Sequence, residues 1–204
     1  ALFSVGAQGV HEDGAWLVTH FPPGTDLEAV HFAVTSADEQ ASLETMPLPD
    51  IDWSEAWKTR IGSHALGALT VSPPWLAEGK PVESTIVIEP GMAFGTGEHA
   101  TTRGVVRLLQ RHLQPGATVA DLGAGSAVLA IAAAKLGASR VYAIELDPDA
   151  IPDAEANVAR NGVSDQVVVL EGDAAMLLPL VAPVELVLAN IISSVLIELL
   201  PVID

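Results

Sequence analysis

From about residue 84 onward, short apolar runs alternate with amphipathic stretches in a regular order. Thr85–Glu89 has strand composition, and Thr101–His112 places Val105, Val106, Leu108 and Leu109 at helical spacing. Thr118–Leu122 predicts a buried strand, followed by a helix from about Ala127 to Leu136. Arg140–Glu145, Gln166–Glu171 and Glu185–Asn190 predict further strands, with a helix over Pro148–Asn161. Strands separated by helices of about 10–15 residues imply a parallel sheet wound by right-handed crossovers, a doubly wound, Rossmann-like α/β fold. The chain reaches Asp204 in or just after the helix that follows the fourth of these strands. An open sheet would continue to cover that strand's edge, so C-terminal strands are expected to be missing from this sequence.

The pattern upstream is different. Residues 1–50 read as a small α+β unit. Ala15–Phe21 is a strand closed by Pro22-Pro23-Gly24, and further strands are expected near Val30–Thr35 and Ala41–Met46. Residues 51–80 read as an interdomain linker, bounded and punctuated by Pro49, Pro73, Pro74 and Pro81. A short helix over Asp52–Arg60 is expected, with Asp52 and Glu55 spaced as a capping box. Trp53, Trp57 and Trp75 would pack the domain junction. Residues 81–204 form the larger domain. The chain opens without Met, so its true N-terminus is expected to lie upstream.

Composition narrows the function. Half of the 204 residues are apolar, enough for a sizeable core, yet no apolar run reaches bilayer-spanning length, so no membrane association is expected. Cysteine is absent. That removes disulfides, thiolate metal sites and thiol nucleophiles, and it suits the cytoplasm. No metal site is expected. The 26 acidic residues against 9 basic ones give a formal net charge of −17. Such a surface repels phosphate backbones, so direct binding of nucleic acid is not expected, whereas a Lys-rich protein partner would be favoured. Acidity also aids solubility, so charge excludes more than it selects.

The chemistry concentrates in two stretches. In Val119-Ala120-Asp121-Leu122-Gly123-Ala124-Gly125-Ser126-Ala127-Val128 a buried strand runs into a glycine turn that opens a helix. Glycines let a ligand approach the backbone, and the helix start offers unpaired N–H groups. Some 20 residues later the next strand ends in Glu145, where a carboxylate can take both hydroxyls of a ribose. A nicotinamide site would want Gly or Ala where Val128 stands. S-adenosylmethionine has no pyrophosphate and does not need that residue. Its cationic groups would find Asp121 a fitting neighbour. The third strand ends at Glu171-Gly172-Asp173, where Asp173 fits either an adenine amino group or a helix N-cap.

The second stretch, Glu89 to Thr102, carries Gly91, Gly95 and Gly97 just before a helix. It suits a lid over a ligand, or a structural loop capped by Thr101. His99 is a candidate for acid–base work, although a loop histidine also serves structure.

The run Gly91-Met92-Ala93-Phe94-Gly95-Thr96-Gly97-Glu98-His99-Ala100-Thr101-Thr102 resembles the bacterial methyltransferases of ribosomal protein L11, as do Asp121-Leu122-Gly123-Ala124-Gly125-Ser126 and Ala189-Asn190-Ile191. Asp52–Lys58, Pro74-Trp75 and Gly6–Val10 resemble other parts of the same family, so the similarity covers nearly the whole chain. The resemblance implies a class I methyltransferase using S-adenosylmethionine, with a ferredoxin-like N-terminal domain that grips the ribosomal protein. It puts cofactor contacts on Thr102, Gly123, Glu145 and Asn190, beside Gly125, Asp121 and Asp173 from the residue reading. Asn190, ending the fourth strand, can also orient the amine through its side-chain carbonyl. The family usually has Asp in place of Glu145 and Gly in place of Ala127. Asn190-Ile191-Ile192-Ser193 lacks the Asn-Pro-Pro-Tyr of enzymes acting on flat amides or bases, which favours an aliphatic amine. A cofactor-binding protein without turnover is the competing expectation, suggested by the missing C-terminal strands.

Overall fold

The computed structural model describes residues 2–46, 58, 61–90 and 99–203. The chain divides into two compact units, Ala1–Asp52 and Trp53–Asp204.

In the first unit, β1 (Val10–Asp13) and β2 (Trp16–Thr19) form an antiparallel hairpin pairing Val10 with Thr19 and Asp13 with Trp16. Gly14 opens the two-residue turn at φ +61°, the positive φ that tight hairpins demand. That Asp-Gly signal could have revealed β1, which the sequence reading missed. Helix α1 (Leu27–Ala37) then replaces the strand expected over Val30–Thr35. The β-branched Val30, Val34 and Thr35 argued for a strand. The Asp26 carboxylate nevertheless accepts from the N–H groups of Glu28 and Ala29, nucleating a helix, and Val30, Val34 and Ala37 fall at helical spacing. The strand expected over Ala41–Met46 is irregular chain, because no sheet edge among the described residues pairs with it.

The second unit begins within the stretch expected to be a linker. β3 (His64–Leu66) and β4 (Leu69–Ser72) form a hairpin, and β5 (Thr85–Val87) runs parallel to β4. The helix expected over Asp52–Arg60, with Trp53 and Trp57, lies outside the described residues apart from Lys58. The Lys58 Nζ stands 5.5 Å from the centre of the Trp75 ring.

The larger sheet contains β6 (Thr118–Leu122), β7 (Arg140–Glu145), β8 (Val167–Glu171) and β9 (Leu186–Ala189), all parallel, in the order β8-β7-β6-β9. The intervening helices are α2 (Ala100–His112) before β6, α3 (Val128–Lys135), α4 (Ile151–Arg160), α5 (Ala174–Val181) and, after β9, α6 (Ser193–Ile203). This is the doubly wound, Rossmann-like arrangement expected from the alternating pattern. Strand alternation sends Val119, Val141 and Leu188 into a core shared with α3, α4 and the small sheet. It sends Ala120, Leu122 and Ile144 into a second core under α5 and α6. Helix α3 is buried from Val128 to Ala134. Its four alanines let it lie close to the sheet while Leu66, Val71 and Ile86 of the small sheet join the same core.

Candidate functional site

The strand order reverses at β6: the chain proceeds from β6 to β7 and β8 on one side, then returns to β9 on the other. In open α/β sheets, ligands bind at the carboxyl ends of the strands, in the crevice at that switch point. Gly123–Ser126 follows β6 there, and Asn190-Ile191 follows β9. Glu145 closes β7, and Asp173 lies just beyond β8.

The turn after β6 needs its glycines. Gly123 has φ +69° and Gly125 φ +52°. A Cβ on Gly123 would stand 2.5 Å from the Ile191 side chain, so the two strand ends approach closely only because position 123 is bare. Ala127 also adopts a left-handed φ of +63° as the N-cap of α3, without a side chain to cap it. The alanine therefore sits in the left-handed region that glycine adopts without strain.

Asp121 supplies the missing cap from β6. Its Oδ2 accepts from the Ala130 N–H at 3.0 Å, in the first turn of α3. The side chain is buried, and its Oδ1 has no hydrogen-bond partner among the described residues. Burial pushes the carboxyl pKa up to about 7; the Ala130 N–H opposes the rise and the nearby Glu145 charge adds to it. An orphaned carboxylate oxygen beside a second acid is a place that a cation would relieve, and this fits the ammonium or sulfonium of S-adenosylmethionine.

Glu145 is tied into the turn. Its Oε2 accepts from the Gly125 N–H at 2.7 Å, and its Oε1 accepts from Leu146 and Asp147 at 2.8 and 2.9 Å. The extra methylene of Glu over Asp permits the reach to Gly125, a contact the sequence reading did not foresee. Asp173 caps α5, accepting from the Ala175 N–H at 2.8 Å. On the far side of the crevice, Asn190 Nδ2 donates to Thr102 Oγ1 at 3.1 Å. Thr102 is buried in α2, so two residues 88 positions apart meet at the switch point. His99, rather than Thr101, is the N-cap of α2, with its Nδ1 2.7 Å from the Thr101 hydroxyl. Of the expected lid, which runs to Thr102, residues 91–98 lie outside the described residues.

Sequence reasoning missed Asn157 and Asn161 of α4 and its C-cap. They occupy the stripe that carries the buried Ala154 and Val158, and two amides on an apolar stripe were the available signal. Among the described residues there is no group of three or more His, Asp or Glu able to hold a metal ion, and no helix is long and apolar enough to cross a membrane.

Residues 13–204 match the family model "Ribosomal protein L11 methyltransferase (PrmA)". A protein named Ribosomal protein L11 methyltransferase from Myxococcus xanthus is 39% identical over 201 residues, covering 97% of this chain and 68% of that protein. The protein of that name from Thermus thermophilus is 40% identical over 201 residues, covering 98% of this chain and 72% of its own. One from Bacillus cereus is 37% identical, with 62% of its length covered, so the chain spans about two thirds of these relatives. A crystal structure of a ribosomal protein L11 methylase from Lactobacillus delbrueckii subsp. bulgaricus superposes with a TM-score of 0.62 at 34% identity. That match covers 71% of this chain and 74% of the other. The chain belongs to the ribosomal protein L11 methyltransferase (PrmA) family.

Proposed function

We propose that this chain carries the S-adenosylmethionine site of a cytoplasmic protein methyltransferase acting on amino groups, lysine side chains or the N-terminal amine, of ribosomal protein L11 of the large subunit. The observation that carries the reading is the Asn190–Thr102 hydrogen bond at the switch point, across from the Gly123–Gly125 turn and the Glu145 carboxylate. The names of the relatives supply the substrate.

The cofactor, when bound, supplies an electrophilic methyl group on a sulfonium. Glu145 would accept the ribose hydroxyls, beside or in place of the Gly125 N–H that it now holds. Asp121 would face the cationic end. The second oxygen of Asp173 would accept from the adenine amino group while the first keeps its helix cap. Gly123 and Gly125 would leave the backbone bare for close approach.

Asn190 would orient the nucleophile. With its amide nitrogen engaged by Thr102, its carbonyl oxygen is the atom that accepts an amine N–H and aims the nitrogen lone pair. The amine must be neutral to attack. An unperturbed lysine has a pKa of about 10.4, and desolvation beside a cation lowers it. The proton passes to solvent. Catalysis in this reading is positioning and water exclusion rather than proton transfer.

The test is to incubate the chain with S-adenosylmethionine and ribosomal protein L11 and read the mass of L11. Growth in methyl increments is expected. Cofactor binding without any mass gain would leave a binding protein without turnover, and no cofactor binding would remove the reading altogether.

A further inference from the structure

Helix α4 lies beside the exit of β5, and two of its amides replace a neighbouring strand there. β5 pairs with β4 along one edge. On its other edge, the Val87 N–H donates to Asn161 Oδ1 at 2.8 Å, and Asn161 Nδ2 donates back to the Val87 carbonyl at 2.7 Å. Two residues on, the Glu89 N–H donates to Asn157 Oδ1 at 3.0 Å. The same Asn157 turns its Nδ2 to the Ser126 carbonyl at 3.1 Å, within the glycine turn. Arg160 Nη1 also donates to Asn157 Oδ1 at 2.9 Å, while its Nη2 stands 3.3 Å from Glu89 Oε2.

Asn157 therefore touches both the end of β5 and the turn after β6 through one side chain. It is buried, at 1% exposure. Two donors meet its oxygen and a carbonyl meets its nitrogen, so the amide fits in one orientation only. Neither partner segment is held by regular pairing at these atoms. The turn has left β6, and Glu89 lies beyond the last residue of β5.

We propose that Asn157 is a positioning residue for the cofactor pocket, its amide setting the distance between the glycine turn and the end of β5. The inference rests on the methyl-donor reading of the turn. Asn161, which holds β5 but does not touch the turn, is the internal control. If Asn157 acts only by stabilising the fold, its loss and that of Asn161 should have the same consequences.

The experiment compares the wild-type chain with Asn157→Asp, Asn157→Ser and Asn161→Ala by ligand-free hydrogen exchange and by calorimetric titration with S-adenosylmethionine. Asn157→Asp keeps an acceptor for Glu89 but sets an oxygen against the Ser126 carbonyl. Asn157→Ser is too short to reach both partners, and it decides the matter should the buried acid prevent folding. Both Asn157 variants are expected to speed amide exchange in 123–128 without ligand and to weaken cofactor binding by roughly tenfold or more. Asn161→Ala is expected to lower the melting temperature and speed exchange near Val87, with affinity within about twofold of wild type. A folded Asn157 variant that keeps wild-type affinity and wild-type exchange in 123–128 overturns the proposal. Should the wild-type chain itself not bind S-adenosylmethionine, the methyl-donor reading fails, and the ligand-free exchange still decides whether Asn157 holds the turn.

Discussion

Asp121 is 1% exposed, caps α3 through one oxygen and leaves the other without a hydrogen-bond partner among the described residues. Its carboxyl, pushed up to about 7 by burial, prefers to stay protonated in the folded chain. The stability this preference supplies is full below the ordinary carboxyl pKa of 3.8 and is lost as pH rises through about 7. The ligand-free Asp121→Asn variant should therefore gain on wild type between pH 4 and 7, by an amount on the order of a few kcal/mol, measured by urea unfolding across that range. A cationic ligand reverses the preference. Binding of S-adenosylmethionine near pH 6.5 should release a proton, visible as different apparent enthalpies in buffers of different ionisation enthalpy; identical enthalpies would separate Asp121 from the cofactor. For Glu145, the Gln variant preserves shape and removes charge. A charged hydrogen bond contributes roughly 1.5–3 kcal/mol, so the affinity should fall about 10- to 100-fold. Unchanged affinity in a folded Glu145→Gln chain would end the ribose assignment.

At the scale of elements, the left-handed Ala127 gives a test of backbone strain. Ala127 and Ala133 are both fully buried, but the first has φ +63° and the second lies inside α3. Glycine relieves roughly 1–2 kcal/mol at the first and costs roughly 1 kcal/mol at the second. Ala127→Gly should exceed Ala133→Gly in unfolding free energy by about 2 kcal/mol, and equal values would mean that Ala127 is unstrained. The contrast between the two units shows what a sequence discloses. β6 and its neighbours are continuous apolar runs separated by full helices, and one register satisfies them, so the doubly wound half was legible. The turn after β6 and the end of β7 at Glu145 were legible too, because two glycines close one apolar run and an acid closes the next. Val30–Thr35 misled because β-branched residues on a short, mostly exposed helix look like a strand until the Asp26 cap is weighed. β3 and β4 hid between prolines in a stretch that read as a linker. Asn157 was harder to read: its place on the apolar stripe of α4 marks it, but its partners are backbone atoms 68 and 31 residues away, so the local pattern does not say what it holds.

The whole molecule divides at Asp52, and every residue proposed for the cofactor lies in the unit that starts at Trp53. That unit holds the shared core of the small sheet, α3 and the parallel sheet, so it has the buried apolar surface that independent folding requires. The first unit is thin: a hairpin and one helix, with Val30 its one buried hydrophobic side chain among the described residues. It also exposes Trp16, Leu17 and Val18 along β2, apolar surface that a substrate-recognition module could use. If the first unit grips the ribosomal protein, removing it should separate the two halves of the activity. A chain beginning at Trp53 should bind S-adenosylmethionine with affinity within about threefold of the intact chain, because no proposed ligand contact has been removed. Methylation of L11 by the same shortened chain should fall by at least tenfold, since the substrate's residence beside Asn190 would depend on the missing grip. Calorimetry reads the first quantity and mass spectrometry of L11 the second, both in the longest form of the protein that methylates. Equal methylation rates with and without residues 1–52 would move recognition of L11 into the larger unit. A parallel loss of cofactor affinity would show that the first unit supports the fold of the second rather than selecting its substrate.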